Sequence, residues 1–280
     1  MGLRIRDILR SVWMSLTVVM IISGTAKATE RANLEAFLEV TGFGVALDSI
    51  ALSASDAPAM LGLEVDDFGI EWKRMSAEVF DTGAMREMAL EILAATLDDD
   101  LLGHAAGFYA SDLGHRLVAA ENDSHMDADD EGRQVAGQKL VAEMVSNGDR
   151  RLSYLRRMGA AIDASGTSVR AVQEIQVRFL LAASAAGVID LQMDEDDLRE
   201  QMKSGEAELR RALQISALAS AAYVYRGFGD VDILAYTEAL ENPLMIKVYE
   251  LMNAVQYEIM ANRFEVLARK MAGLQPSEEL

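Results

Sequence analysis

The 280-residue chain has no cysteine, three prolines and two tryptophans, and its 26 basic residues are outnumbered by 45 acidic ones. Each shortage excludes something. Without cysteine there is no disulfide, no thiolate metal site and no lipid anchor on a processed N-terminal cysteine. The few prolines (Pro58, Pro243 and Pro276) leave long stretches unbroken, and β-branched runs are few. A net charge of −19 repels phosphate backbones and anionic lipid, so nucleic acid and acidic membrane faces are not expected partners. Past the first 28 residues no apolar run reaches the roughly 20 residues that span a bilayer. What remains is rich in alanine, leucine, glutamate and methionine. With 51% hydrophobic residues it predicts an ordered all-α body and not a disordered one.

The first 28 residues differ from the rest. Arg4, Arg6 and Arg10 precede an apolar run from Val12 to Ile22 that is interrupted by Ser15, and Ala26-Lys27-Ala28 has the small-x-small pattern of a signal peptidase site. The run is too short for a stable span, so the segment reads as a cleaved export signal and the mature protein as periplasmic, with no membrane insertion after cleavage. Residues 29–280 then carry −22, because the segment removed holds four cations and one acid.

Helical periodicity continues along the body. Leu34, Phe37, Leu38, Phe43, Leu47 and Ile50 mark a helix over 30–51, weakened in its middle by Gly42 and Gly44. A connection over 53–63 holds Pro58 and Gly62. Helices are predicted over 68–80 and 85–95, split by Asp81-Thr82-Gly83, and over 98–110 and 112–121. The segment 122–132 (NDSHMDADDEG) is polar and reads as an acidic linker. Helices resume over 135–145, 151–164, 169–189, 206–225, 230–240 and 243–271, with Asp194 to Asp197 as the acidic first turn of another. The expected organisation is a signal peptide (1–28), a helical unit (29–121), the linker (122–132), a second helical unit (133–271) and a flexible tail (272–280).

The sharpest local pattern is Phe108-Tyr109-Ala110-Ser111-Asp112-Leu113-Gly114-His115-Arg116. Ser111 is placed to cap a helix beginning at Asp112, and Asn242 to cap one beginning at Pro243, proline being favoured at a first helical position. Phe108 and Tyr109 would pin the corner, and Gly114 would let two helices approach closely. This run resembles the signature of a bacterial secreted helical family catalogued as domain of unknown function 2059, a Phe-Tyr-x-Ser-Pro-x-Gly-x-basic corner after an acidic helix start. Phe108, Tyr109, Ser111, Gly114 and Arg116 fit, as does the Asp98 to Asp100 start. Asp112 replaces the usual proline. The resemblance centres on residues 70–121 and implies export and a helical fold, with no activity attached.

A weak internal repeat accompanies the corner. An offset of 131 pairs Leu97 with Phe228, Asp99 with Asp230, Ser111 with Asn242 and Leu117 with Val248; an offset of 115 pairs Phe37 with Leu152, Phe43 with Met158 and Gly44 with Gly159. These pairings predict a multi-helix bundle of two tandem degenerate helical repeats packed together.

Chemical motifs are scarce. His104, His115 and His125 fall within 22 residues, but a helix break at Ser111 would separate the first from the others, and a zinc site wants three or four convergent ligands. Asp127 to Gly132 resembles half of a calcium loop, with Gln138 where a bidentate glutamate belongs. The sixteen methionines, among them Met245, Met252 and Met260, read as core filling. Ser-His-Asp catalysis lacks a nucleophile elbow. No catalytic, cofactor or metal residue is therefore assigned, and no cofactor is expected. The sequence favours a periplasmic accessory or interaction protein binding a protein partner or a second copy of itself. The alternative is a carrier of an apolar ligand, with a cavity near Phe179, Met252 and Ile259; a hydrolase would need machinery that is not seen.

Overall fold

The computed structural model describes residues 30–52, 57–61 and 69–273. Residues 1–28, read above as an export signal, lie outside them, as do residues 274–280 of the expected tail. Among the described residues the chain is helical with no strand. The all-α expectation therefore holds, and the molecule is a multi-helix bundle.

The first helical stretch is divided. α1 (30–40) ends at Thr41, and Gly42 adopts a left-handed conformation (φ 72°) before α2 (Phe43–Ser49). Glycine takes this conformation without the Cβ penalty. Space is tight there too, since a Cβ would lie 2.7 Å from Asn122 Oδ1 and 3.0 Å from Val118 Cγ1. All six apolar residues that marked the stretch are buried. The connection holds one short turn of helix, α3 (Ala57–Met60). α4 (Gly69–Val79) and α5 (Thr82–Thr96) follow, the second capped by Asp81, whose carboxylate accepts from Ala84 N at 2.8 Å.

α6 (Asp99–Tyr109) and α7 (Asp112–His125) form the corner. Here the expected linker is corrected. Asn122 to His125 continue α7, and α8 (Asp130–Asn147) starts soon after, so the chain leaves helix only over 126–129. The acidic residues supply helix ends instead of a tether. Asp129 caps α8 through Gly132 N at 2.9 Å, Asp127 accepts from Asp129 N at 3.0 Å, and Arg133 pairs with Asp130 at 2.9 Å.

α9 (Arg151–Ile162), α10 (Ser168–Ala185), α11 (Glu195–Ser204), α12 (Glu206–Val224), a 3-10 turn at Tyr225–Gly227, α13 (Asp230–Leu240) and α14 (Pro243–Met271) complete the chain. α10 stops short of the expected Ile189, at a left-handed Gly187. α11 has the expected acidic first turn in Glu195, Asp196 and Asp197, while Asp194 stands one place earlier and caps the helix through Asp197 N.

α14 is the spine. At 29 residues it is about 43 Å long. Met245, Val248, Met252, Val255, Ile259, Phe264 and Leu267 turn inward along it, and α4, α5, α6, α9 and α10 lie against it. Phe264 meets Phe80 and Phe179 edge-on, at 5.4 and 5.3 Å between ring centres. α8 and α12 form a second close pair, in which a Cβ on Gly137 would lie 2.1 Å from Ala219 O. One continuous buried cluster runs from Leu34 to Met271, so both halves of the chain build the same core.

Candidate functional site

The residues singled out in the sequence are brought together where the α6–α7 corner meets the second half. Ser111 takes an extended conformation and its Oγ accepts from Gly114 N at 3.1 Å. Gly114 lies on the end of α6, where a Cβ would stand 2.5 Å from both Phe108 O and Tyr109 Cα. Glycine is thus required because backbone meets backbone. Arg116 reaches Asp232 at 3.0 Å and lies over the Phe228 ring, 5.5 Å from its centre. The basic residue of the motif therefore ties the first corner to the start of α13.

The second corner repeats the local geometry. α6 and α13 each have 11 residues, and both α13 and α14 start 131 residues after their counterparts. The closing residues Ala110 and Glu241 have nearly the same dihedrals (−75°, −6° and −74°, −6°). Asn242 Oδ1 accepts from Leu244 N at 2.9 Å, and Pro243 holds the first helical position.

Phe108 stacks on Tyr236 (5.7 Å, interplanar 7°), and Tyr109 meets both rings edge-on. Behind them lies a polar cluster that sequence reasoning missed. The hydroxyls of Tyr109, Tyr236 and Tyr249 form a triangle with sides of 2.5, 3.0 and 3.1 Å. Tyr225 and Tyr236 both donate to Glu121 Oε1, at 2.7 and 3.0 Å. Burial raises the pKa of all four phenols. Burial also pushes Glu121 up, against the pull of its two tyrosine donors. Tyr109 aside, the only signal for the tyrosines was aromatic type, and Glu121 carried none. Their meeting depends on contacts between positions more than 100 residues apart.

The three histidines do not converge. His104 lies on α6 and His115 and His125 on α7, and among the described residues no group of three or more His, Asp or Glu could hold a metal ion. Phe179, Met252 and Ile259, offered as cavity walls, belong to the core, and none of them lines either groove described next.

Two surface depressions flank α10. One, of about 500 Å³, lies among α10, α11 and α12; Leu180, Leu191, Met193, Met202 and Leu209 line it together with Gln176 and Gln201. Gln173 braces it by donating to Met202 O at 2.7 Å. The other, of about 640 Å³, lies between α10 and α14 and is the more polar of the two, with Arg170, Glu174, Arg178, Tyr257 and Glu258 among its walls. Arg178 there grips Glu258 and Glu265 at 2.9 and 2.5 Å.

Residues 83–144 match the model of a family described as an uncharacterized protein conserved in bacteria, DUF2059. The segment runs from α5 to the end of α8 and contains the whole corner, and it is the family that the corner resembles. No curated protein and no solved structure matches the chain.

Proposed function

We propose that this is an exported helical accessory protein that binds a protein partner through the apolar groove among α10, α11 and α12. The observation that carries the proposal is that groove: leucines and methionines line an open depression of about 500 Å³ in a strongly acidic chain. Its shape suits the apolar face of an inserted helix, and methionines adapt to such surfaces. Glutamines at its walls offer hydrogen bonds without adding charge.

The test places a charge in the groove. A Met202→Glu variant and the wild type are each used as bait in periplasmic extract, and each is weighed by native mass spectrometry. The proposal expects a partner, or a second copy, bound by the wild type and lost from the variant. A co-purified apolar small molecule in place of a protein would favour the carrier reading. That reading would now rest on this groove and not on Phe179, Met252 and Ile259. Retention of the same partner by both baits would remove the groove from the function.

Export rests on the basic start, the short apolar run and Ala26-Lys27-Ala28. N-terminal sequencing of the periplasmic protein should begin at Thr29; a cytosolic protein beginning at Met1 would overturn it. Duplication is part of the same proposal. The offset of 131 shared by the two corner helices, their matching dihedrals and the position of α2 against α7 and of α9 against α14 support it.

A further inference from the structure

Four tyrosine hydroxyls and one carboxyl meet at the joint between the two corners. Five contacts link them: Tyr225 to Glu121, Tyr236 to Glu121, and the three sides of the Tyr109–Tyr236–Tyr249 triangle. A phenol has one proton to donate and can accept two bonds. With Glu121 ionised, four protons serve five contacts. Tyr225 and Tyr236 give theirs to the carboxylate, so only Tyr109 and Tyr249 can supply the triangle, and one side is left with two oxygens face to face. A proton on Glu121 removes the shortfall. Glu121 then donates to Tyr236 while accepting from Tyr225, and Tyr236 is free to complete the ring of three.

We propose that Glu121 is a proton-uptake site built into the joint, holding its proton in the folded protein because only the protonated carboxyl completes the tyrosine cluster. The charged groups around it are engaged elsewhere. On α7, Arg116 is paired with Asp232 of α13, and His125 lies a turn further on. Arg133 of α8 serves Asp127, Asp130 and Ser124. Arg151 of α9 serves Asp230 and the carbonyls of Phe228 and Tyr225. Arg226, beyond α12, lies over Tyr223, and Asp48 of α2 is held by Arg86. α6 brings His104 more than a turn before Tyr109, and α14 brings exposed Lys247 and Glu250 on either side of Tyr249. Among the described residues no cation is hydrogen bonded to or paired with Glu121 to favour its charge.

The sign follows. Burial raises this carboxyl's pKa above its ordinary value. Its contribution to stability is therefore complete at low pH and is lost as pH rises through the folded-state value. The exposed carboxylates Glu78, Glu87, Glu174 and Glu241, held down by Lys270, Arg31, Arg199 and Arg157, run the other way and lose their contribution as pH falls. The Glu121→Gln variant separates the two, because an amide supplies both acceptor and donor at every pH.

Infrared difference spectroscopy of folded against urea-unfolded wild type near pH 6, well above the ordinary glutamate value of about 4.3, should show a carboxylic acid carbonyl band in the folded state. The same band should be missing from Glu121→Gln. Its absence from the wild type, or its persistence in the variant, overturns the proposal. In urea unfolding, the ratio of the wild-type to the variant folding constant should fall as pH rises, by at most about tenfold per pH unit for one proton. A ratio that rises with pH overturns it as well. The wild-type spectrum decides even where the variant fails to fold.

Discussion

Gly114 and Gly103 sit on adjoining helices, and the same substitution should act on them in opposite directions. A Cβ at Gly114 would meet the backbone of Phe108 and Tyr109 at 2.5 Å, whereas one at Gly103 meets nothing within 4 Å. Gly114→Ala should therefore lower stability by about 1–3 kcal/mol through overpacking against atoms that cannot rotate away. Gly103→Ala should raise it by roughly 0.5–1 kcal/mol, since glycine inside a helix carries that penalty. Urea midpoints for the two variants check both signs together, and equal losses would refute the contact assigned to Gly114. The caps give a second measurement. Ser111 and Asn242 each accept a backbone N–H at a helix start, so replacing either with alanine should cost about 0.5–2 kcal/mol. Unchanged midpoints for both would mean that the caps contribute nothing in solution.

Among the elements, legibility followed the range of the interaction. Helix starts were readable because a cap oxygen and the backbone N–H that donates to it lie two or three residues apart. Ser111 and Asn242 therefore fell where the sequence placed them. Apolar stripes were readable for the same reason, and the six apolar residues that marked the first helical stretch are all buried. The polar run 122–132 was misread because its helical part is stabilised from outside the window. Val118 and Asn122 lie beneath Gly42, and Ser124 is held by Arg133. The tyrosine cluster and the groove were not readable at all, since both depend on which helices become neighbours. Ion pairs between elements share that property, and α10 with α14 offers a test. The Arg178 fork holds Glu258 and Glu265 at once, which the point charge of a lysine cannot copy. Arg178→Lys should cost about 1 kcal/mol in thermal unfolding at low salt, and the difference should shrink in molar salt as the pairs are screened. A salt-independent loss would assign the effect to the packing of the arginine stem.

At the scale of the molecule, the repeat signal and the shared core point in different directions. Two tandem units could each fold alone, yet the contacts that close the core cross the midpoint of the chain. Tyr109 and Glu121 find their partners on Tyr225, Tyr236 and Tyr249. Phe80 packs on Phe264, Lys270 pairs with Glu78, and α14 covers α4, α5 and α6. A fragment ending in the short connection at 126–129 would expose all of these faces, at about 25 cal/mol for each Å² of apolar surface returned to water. Residues 29–128 made alone should therefore lack a cooperative urea transition and bind a hydrophobic dye. Residues 129–280 should recover little more, since the N-terminal helices that α14 covers would be missing. Mixed together, the two should regain the circular dichroism and the single sharp transition of the intact chain. Both fragments are acidic, so salt should speed their association by screening mutual repulsion. A cooperative transition in residues 29–128 alone would show that the first unit is an independent domain, and the joint at Tyr109 and Glu121 would then be a docking contact between two finished bodies.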